Sequence, residues 1–245
     1  MKKDYKKIII SIFIFFIVLL LSVCIIVANN SSQKINFEID KEKIYYEIKY
    51  FDSQIIYMIN LLNNIENTND FYIDWIELKN QTNNLYVYWN SVILDFNYFD
   101  IEKTYLTDFG KDLDNLSIAI KNNNKENTLK NLLELYKRII IYSELLNDNF
   151  YHSILIIKYN LIISYSIVEK DNWTLTHEYI MKASENITNL LNSMENNKYN
   201  QYNINQAYVA VKELENLINI KDINVFYIKY KNAMNNIYKI KIGEA

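Results

Sequence analysis

The sequence predicts an all-α protein: a single N-terminal transmembrane helix, then an extracytoplasmic bundle of about eight helices, arranged in two related four-helix halves. Three observations carry this reading. Ile8 to Ala28 is an apolar run without a charge, the apolar residues after it recur at steps of three and four, and Asn-rich breaks separate the periodic stretches. The absence of Pro adds little, because heavy use of Asn, Ile, Lys and Tyr with only Arg138 as arginine follows AT-rich codons.

The run 8–28 is long enough, at about 1.5 Å per residue, to cross the roughly 30 Å hydrocarbon core of a bilayer. Lys2, Lys3, Lys6 and Lys7 stand before it against Asp4 alone, and Asn29, Asn30, Ser31 and Ser32 come after it, ahead of Lys34. The positive-inside rule then makes residues 1–7 cytoplasmic, 8–28 the anchor, 29–36 a linker and 37–245 an extracytoplasmic domain. Two processing alternatives compete with an uncleaved anchor. Ile26-Val27-Ala28 ends in a small residue, as a signal-peptidase site does, but with a bulky Ile26. Leu21-Ser22-Val23-Cys24 resembles a lipobox that would lipidate Cys24, although the apolar run continues beyond it. Cys24 is the only cysteine, so no intrachain disulfide can form and packing alone must hold the domain.

The helices are taken in chain order. Ile44, Ile48, Phe51, Ile55, Met58, Leu62 and Ile65 alternate steps of four and three and mark a helix over 37–65. Trp75, Leu78, Thr82, Leu85, Trp89, Val92, Phe96 and Phe99 mark a second over 70–99, antiparallel to the first across the turn 66–69. Leu106, Phe109, Leu113, Leu116 and Ile120 place a third over 102–122, with Gly110 inside it. Leu129, Leu133, Tyr136, Ile140 and Ser143 place a fourth over 126–147. Residues 150–170 are apolar on nearly every side; Lys158 and Asn160 interrupt them, so a central packed helix is expected rather than a second membrane span. Helices over 172–196, 203–220 and from a cap at Asp222 to Ile240 finish the chain.

Asp112-Leu113-Asp114-Asn115-Leu116 is echoed by Glu213-Leu214-Glu215-Asn216-Leu217, and Trp75 by Trp173, at nearly the same offset. That pairing suggests a duplicated four-helix unit.

Little chemistry is legible. His152 and His177 lie on different helices without a second ligand at a useful spacing, and His177-Glu178 lacks the second His of a zinc-protease helix. No Gly-x-Ser-x-Gly elbow or glycine-rich phosphate loop occurs. Asp112 with Asp114, and Glu213 with Glu215, point about 200° apart around a helix, which spoils them as acid and base and makes them solvated faces. Neither an enzyme nor a cofactor is expected. The first seven residues hold four lysines and one acid, leaving 22 basic against 28 acidic groups, so nucleic acid is a disfavoured partner.

Aromatic residues supply the one ligand-binding feature: Trp75 and Trp89 on one seam, flanked by Tyr86 and Tyr88, with Trp173, could line a groove for a glycan or peptide. The leading functional expectation is a membrane-anchored adaptor, scaffold or assembly subunit of a cell envelope that binds a protein partner or itself. A ligand-sensing or solute-binding module is the first alternative, favoured if Trp75 or Trp173 lines a pocket with convergent polar groups. A membrane-active toxin inserting residues 154–163 is the second.

Overall fold

The computed structural model describes residues 42–63, 72–98, 101–193 and 198–240. The expected anchor 8–28 with Cys24, the basic residues 1–7, the expected linker 29–36 and the seam positions Ile65 and Phe99 lie outside them. Among the described residues the structure is a helical bundle with short turns and no strand. The chain divides into two compact units, Met1–Tyr46, of which residues 42–46 are described and are helical, and Glu47–Ala245, which holds all the other described residues.

Eight α-helices occur among the described residues: α1 (42–63), α2 (Trp75–Tyr98), α3 (Lys103–Lys121), α4 (Lys125–Ser143), α5 (Asn149–Val168), α6 (Trp173–Ser193), α7 (Lys198–Leu217) and α8 (Ile223–Tyr238). A single 3₁₀ turn, Glu144–Leu146, comes after α4. Asx side chains start most of them by accepting otherwise orphaned backbone N–H groups. Asp74 takes the N–H of Glu77, Asn124 that of Asn127, Asn172 that of Leu175, and Asp148 and Asp222 take two each. With glycine so scarce, the left-handed residue that ends a helix is Asn123, Asn147, Asp171 or Lys221, each with φ between 50° and 57°. The Asn runs therefore do two jobs in one turn: Asn123 terminates α3 and Asn124 begins α4.

Three sequence expectations need correction. The second helix starts at Trp75 rather than at 70, because Asp74 serves as its cap instead of entering the first turn, and α2 is about 36 Å long. The seventh helix starts at Lys198, five residues before 203. On α4 the buried stripe is Thr128, Leu132, Leu135, Ile139 and Tyr142, turned by one residue from the expected Leu129, Leu133 and Ile140, with Tyr136 and Ser143 common to both. Leu and Ile occupy both stripes, so periodicity could not choose between them; the observed stripe is the one that buries the Tyr142 ring.

The remaining seams lie in the core as their spacing requires: Ile48, Phe51, Ile55, Met58 and Leu62 on α1, Leu78 to Phe96 on α2, Leu106 to Ile120 on α3. Helices α1 to α4 meet around a cluster of rings in which Trp89 stacks on Phe109 at 4.2 Å, and Phe51, Phe96 and Tyr142 close the sides. Helices α5 to α8 form a second group of four, each packed on the next and α8 returning to α5. There Tyr165 meets Tyr230, and Trp173 meets Phe226 edge-on. Among the described residues α5 is the helix long and apolar enough to cross a membrane, yet most of its apolar stretch is buried against α4, α6 and α8.

Candidate functional site

The bundle places an ion pair in its interior. Asp52 comes directly after the core residue Phe51 on α1, and Lys158 interrupts the apolar run of α5. Lys158 Nζ donates to Asp52 Oδ2 at 2.6 Å, with the two side chains only 6% and 8% exposed. Tyr136 Oη on α4 donates to the other carboxylate oxygen, Oδ1, at 2.6 Å. From α8 the ring of Tyr238 lies 5.2 Å from the ammonium. Four helices thus converge on one carboxylate and one ammonium, although desolvating such a pair costs several kcal/mol per ion.

Burial and the adjacent Asp52 charge push the Tyr136 hydroxyl well above its ordinary value near 10, so it stays protonated and remains a donor. Burial, with Asp52 as a lesser cause, also raises Tyr238. The pair faces a cavity of about 500 Å³ between α1, α5 and the end of α8, walled by Ile56, Tyr57, Asn60, Tyr151, Ile237 and Tyr238, with exposed Lys49 and Ser53 at its mouth. Asp52 accepts two hydrogen bonds and Lys158 donates one among the described residues. A carboxylate has about four acceptor positions and an ammonium three donors, so both ions keep capacity to spare.

The aromatic residues singled out from sequence are not brought together. Trp89 fills the core of α1 to α4. Trp173 is buried at the start of α6 with its indole N–H on Asp171 at 2.6 Å. Trp75 is half-buried and lines a separate cavity of about 620 Å³ between the start of α2 and the end of α3, with Lys79, Asn80, Asn83, Ser117 and Lys121 around it. Cys24 lies outside the described residues.

His152 Nδ1 is 2.8 Å from Ser143 Oγ, the geometry of a nucleophile and its base. Ser143, however, is 1% exposed and gives its proton to the Ile140 carbonyl at 2.6 Å, so the imidazole N–H is the donor to Oγ and the pair is structural. The paired acids are not simply solvated. Asp112 bonds Arg138 on α4 while Asp114 accepts from Tyr86 on α2, and Glu213 bonds Lys229 on α8 while Glu215 accepts from Ser184 on α6. Two residues apart on a helix, they reach opposite neighbours. Among the described residues no cluster of three metal-ligating side chains occurs.

Asp52 and Lys158 were absent from the residues expected to carry function. A signal for one of them existed: a lone lysine within a helix apolar on all sides must find a counter-charge. Its partner, 106 positions away, could not be chosen from the many acids of the chain. In comparison with known proteins the chain matches no family model, no curated protein and no solved structure.

Proposed function

We propose that this protein is an extracytoplasmic, membrane-anchored module that binds a small ligand inside its helical domain. The observation carrying the reading is the cavity at Asp52 and Lys158. A buried ion pair with unspent hydrogen-bonding capacity, opening into a cavity of ligand size, is poor use of a core unless something completes it. The Trp75 cavity supports the same class, since it joins an aromatic ring to convergent amide and lysine groups. The anchor at 8–28 and the basic residues 1–7 remain the basis for placing the domain outside the cell. The parallel contacts of Asp112/Asp114 and Glu213/Glu215 support descent of the two four-helix groups from one unit. Native mass spectrometry of the full chain purified from its own cells tests the reading: a stoichiometric adduct of low mass is the expected result, and a bare chain overturns it.

A second reading, the anchored adaptor or scaffold, is favoured by α2. Ile76, Val87 and Leu94 are about 70% exposed and, spaced by eleven and seven residues, fall within about 20° of one another around the helix. Under that reading Val87→Glu abolishes capture of a protein partner in crosslinked native cells without altering the fold; capture left intact ends it.

A further inference from the structure

Resting on the ligand-binding reading, we infer that the cavity between α1, α5 and α8 is a site for a free amino acid, its ammonium held by Asp52 and its carboxylate by Lys158.

The charges at the site select this class. Asp52 and Lys158, each less than a tenth exposed, already neutralise each other at 2.6 Å, and the third charged residue lining the cavity, Lys49, is exposed to solvent. A ligand with net charge would leave one ion uncompensated in a low-dielectric setting, a situation proteins avoid. The unspent capacity is specific: acceptor positions on one ion and two N–H donors on the other, side by side. A zwitterion offers the complement of both, a strong donor and a strong acceptor separated by one carbon, with no net charge. Tyr136 donates to Asp52 from the far side and, held protonated by burial, keeps that carboxylate in place.

The walls say what the rest of the ligand is. Ile56, Ile237 and Ile240 with the Tyr57, Tyr151 and Tyr238 rings make the apolar and aromatic part of the lining, and Ser53, Asn60 and the exposed Lys49 make the polar remainder. About 500 Å³ is ample for a large side chain, so the site takes a bulky apolar or aromatic amino acid in preference to a small polar one. The Lys158 ammonium, 5.2 Å from the Tyr238 ring, is oriented by that contact as well as by Asp52.

The test uses the full chain in detergent, titrated calorimetrically with single free amino acids and with the N-acetyl and methyl-ester derivatives of whichever binds. Saturable binding of a large apolar amino acid is expected, weakened at least tenfold by either derivative, because each removes one of the two charges. Since Lys158→Met leaves the Asp52 charge buried without its cation and destabilises the bundle, the location is tested with Ser53→Trp, which places a large ring at the exposed mouth; this variant is expected to keep its helical circular dichroism and lose binding. Undiminished binding by Ser53→Trp, or of both derivatives, overturns the assignment. Binding of a sugar or a simple monocarboxylate in place of any amino acid overturns the ligand class while leaving the ligand-binding reading standing. A chain that binds none of these and carries no low-mass adduct when purified from its own cells loses both.

Discussion

Lys158 and Asp52, 106 positions apart in the chain, meet at 2.6 Å inside the bundle and join the two groups of four helices. The link is electrostatic, and a hydroxyl from Tyr136 supports it at 2.6 Å from Asp52. Breaking it one-sidedly should therefore cost more than removing it whole. Lys158→Met leaves an unpaired carboxylate in the core and is expected to lower stability by about 3–5 kcal/mol, whereas Asp52→Leu with Lys158→Met recovers much of that loss. Urea denaturation of wild type, single and double variants measures the difference; a double variant no better than the single one contradicts it. Tyr136→Phe, which removes one donor from the carboxylate, is expected to cost about 1–2 kcal/mol in the same assay.

Trp89 and Trp75 separate core from cavity on a single helix. Trp89 is 3% exposed and stacked on Phe109, so Trp89→Ala should cost about 3–5 kcal/mol. Trp75 is half-buried beside open space, and its replacement by Ala should cost about 1 kcal/mol. Equal losses in urea melts would put both rings in the same environment.

Much of the bundle could be read from the order of residues alone. Seams such as Ile48-Phe51-Ile55-Met58-Leu62 state which face is buried, because each turn offers one apolar stripe and polar residues elsewhere. Where two stripes were apolar, as on α4, the pattern was degenerate and the rotation was missed. The start of α2 was missed for a related reason: an Asx in a polar run can be a cap or a first-turn residue, and only the backbone decides between them. The cavity was invisible, since it depends on a pairing between α1 and α5 that no local spacing encodes.

Backbone conformation gives a prediction at two positions, one inside a helix and one at the end of another. Gly110 sits inside α3, where a Cβ would meet Trp89 Nε1 at an ordinary 3.9 Å. Gly110→Ala should stabilise by about 0.5–1 kcal/mol, since it removes chain freedom from the unfolded state without a clash. Lys221 ends the turn after α7 with φ 54°. Lys221→Gly is expected to stabilise by about 1 kcal/mol by relieving left-handed strain. Thermal melts of the two variants and their combination should show additive increases.

Alkaline pH should undo the fold through its tyrosines. Burial raises Tyr136 and Tyr230 well above 10 and pushes Tyr88 and Tyr227 up to about 12. A raised folded value means that the native state holds its proton where the unfolded chain has released it. Stability is then complete below about pH 10 and falls as pH rises through the folded values. Tyrosinate absorbance monitored alongside circular dichroism should show these groups ionising together with loss of helix; a full tyrosine titration with helix intact would contradict their burial.

The measurement bearing most directly on ligand binding is hydrogen exchange of the full chain with and without a dialysable extract of its own cells. A ligand seated at Asp52 and Lys158 predicts slower exchange along residues 52–60 of α1, around 158 in α5 and over 237–240, with α2 unchanged. Exchange that is unaffected throughout, or protection appearing only along α2 between Ile76 and Leu94, would contradict it.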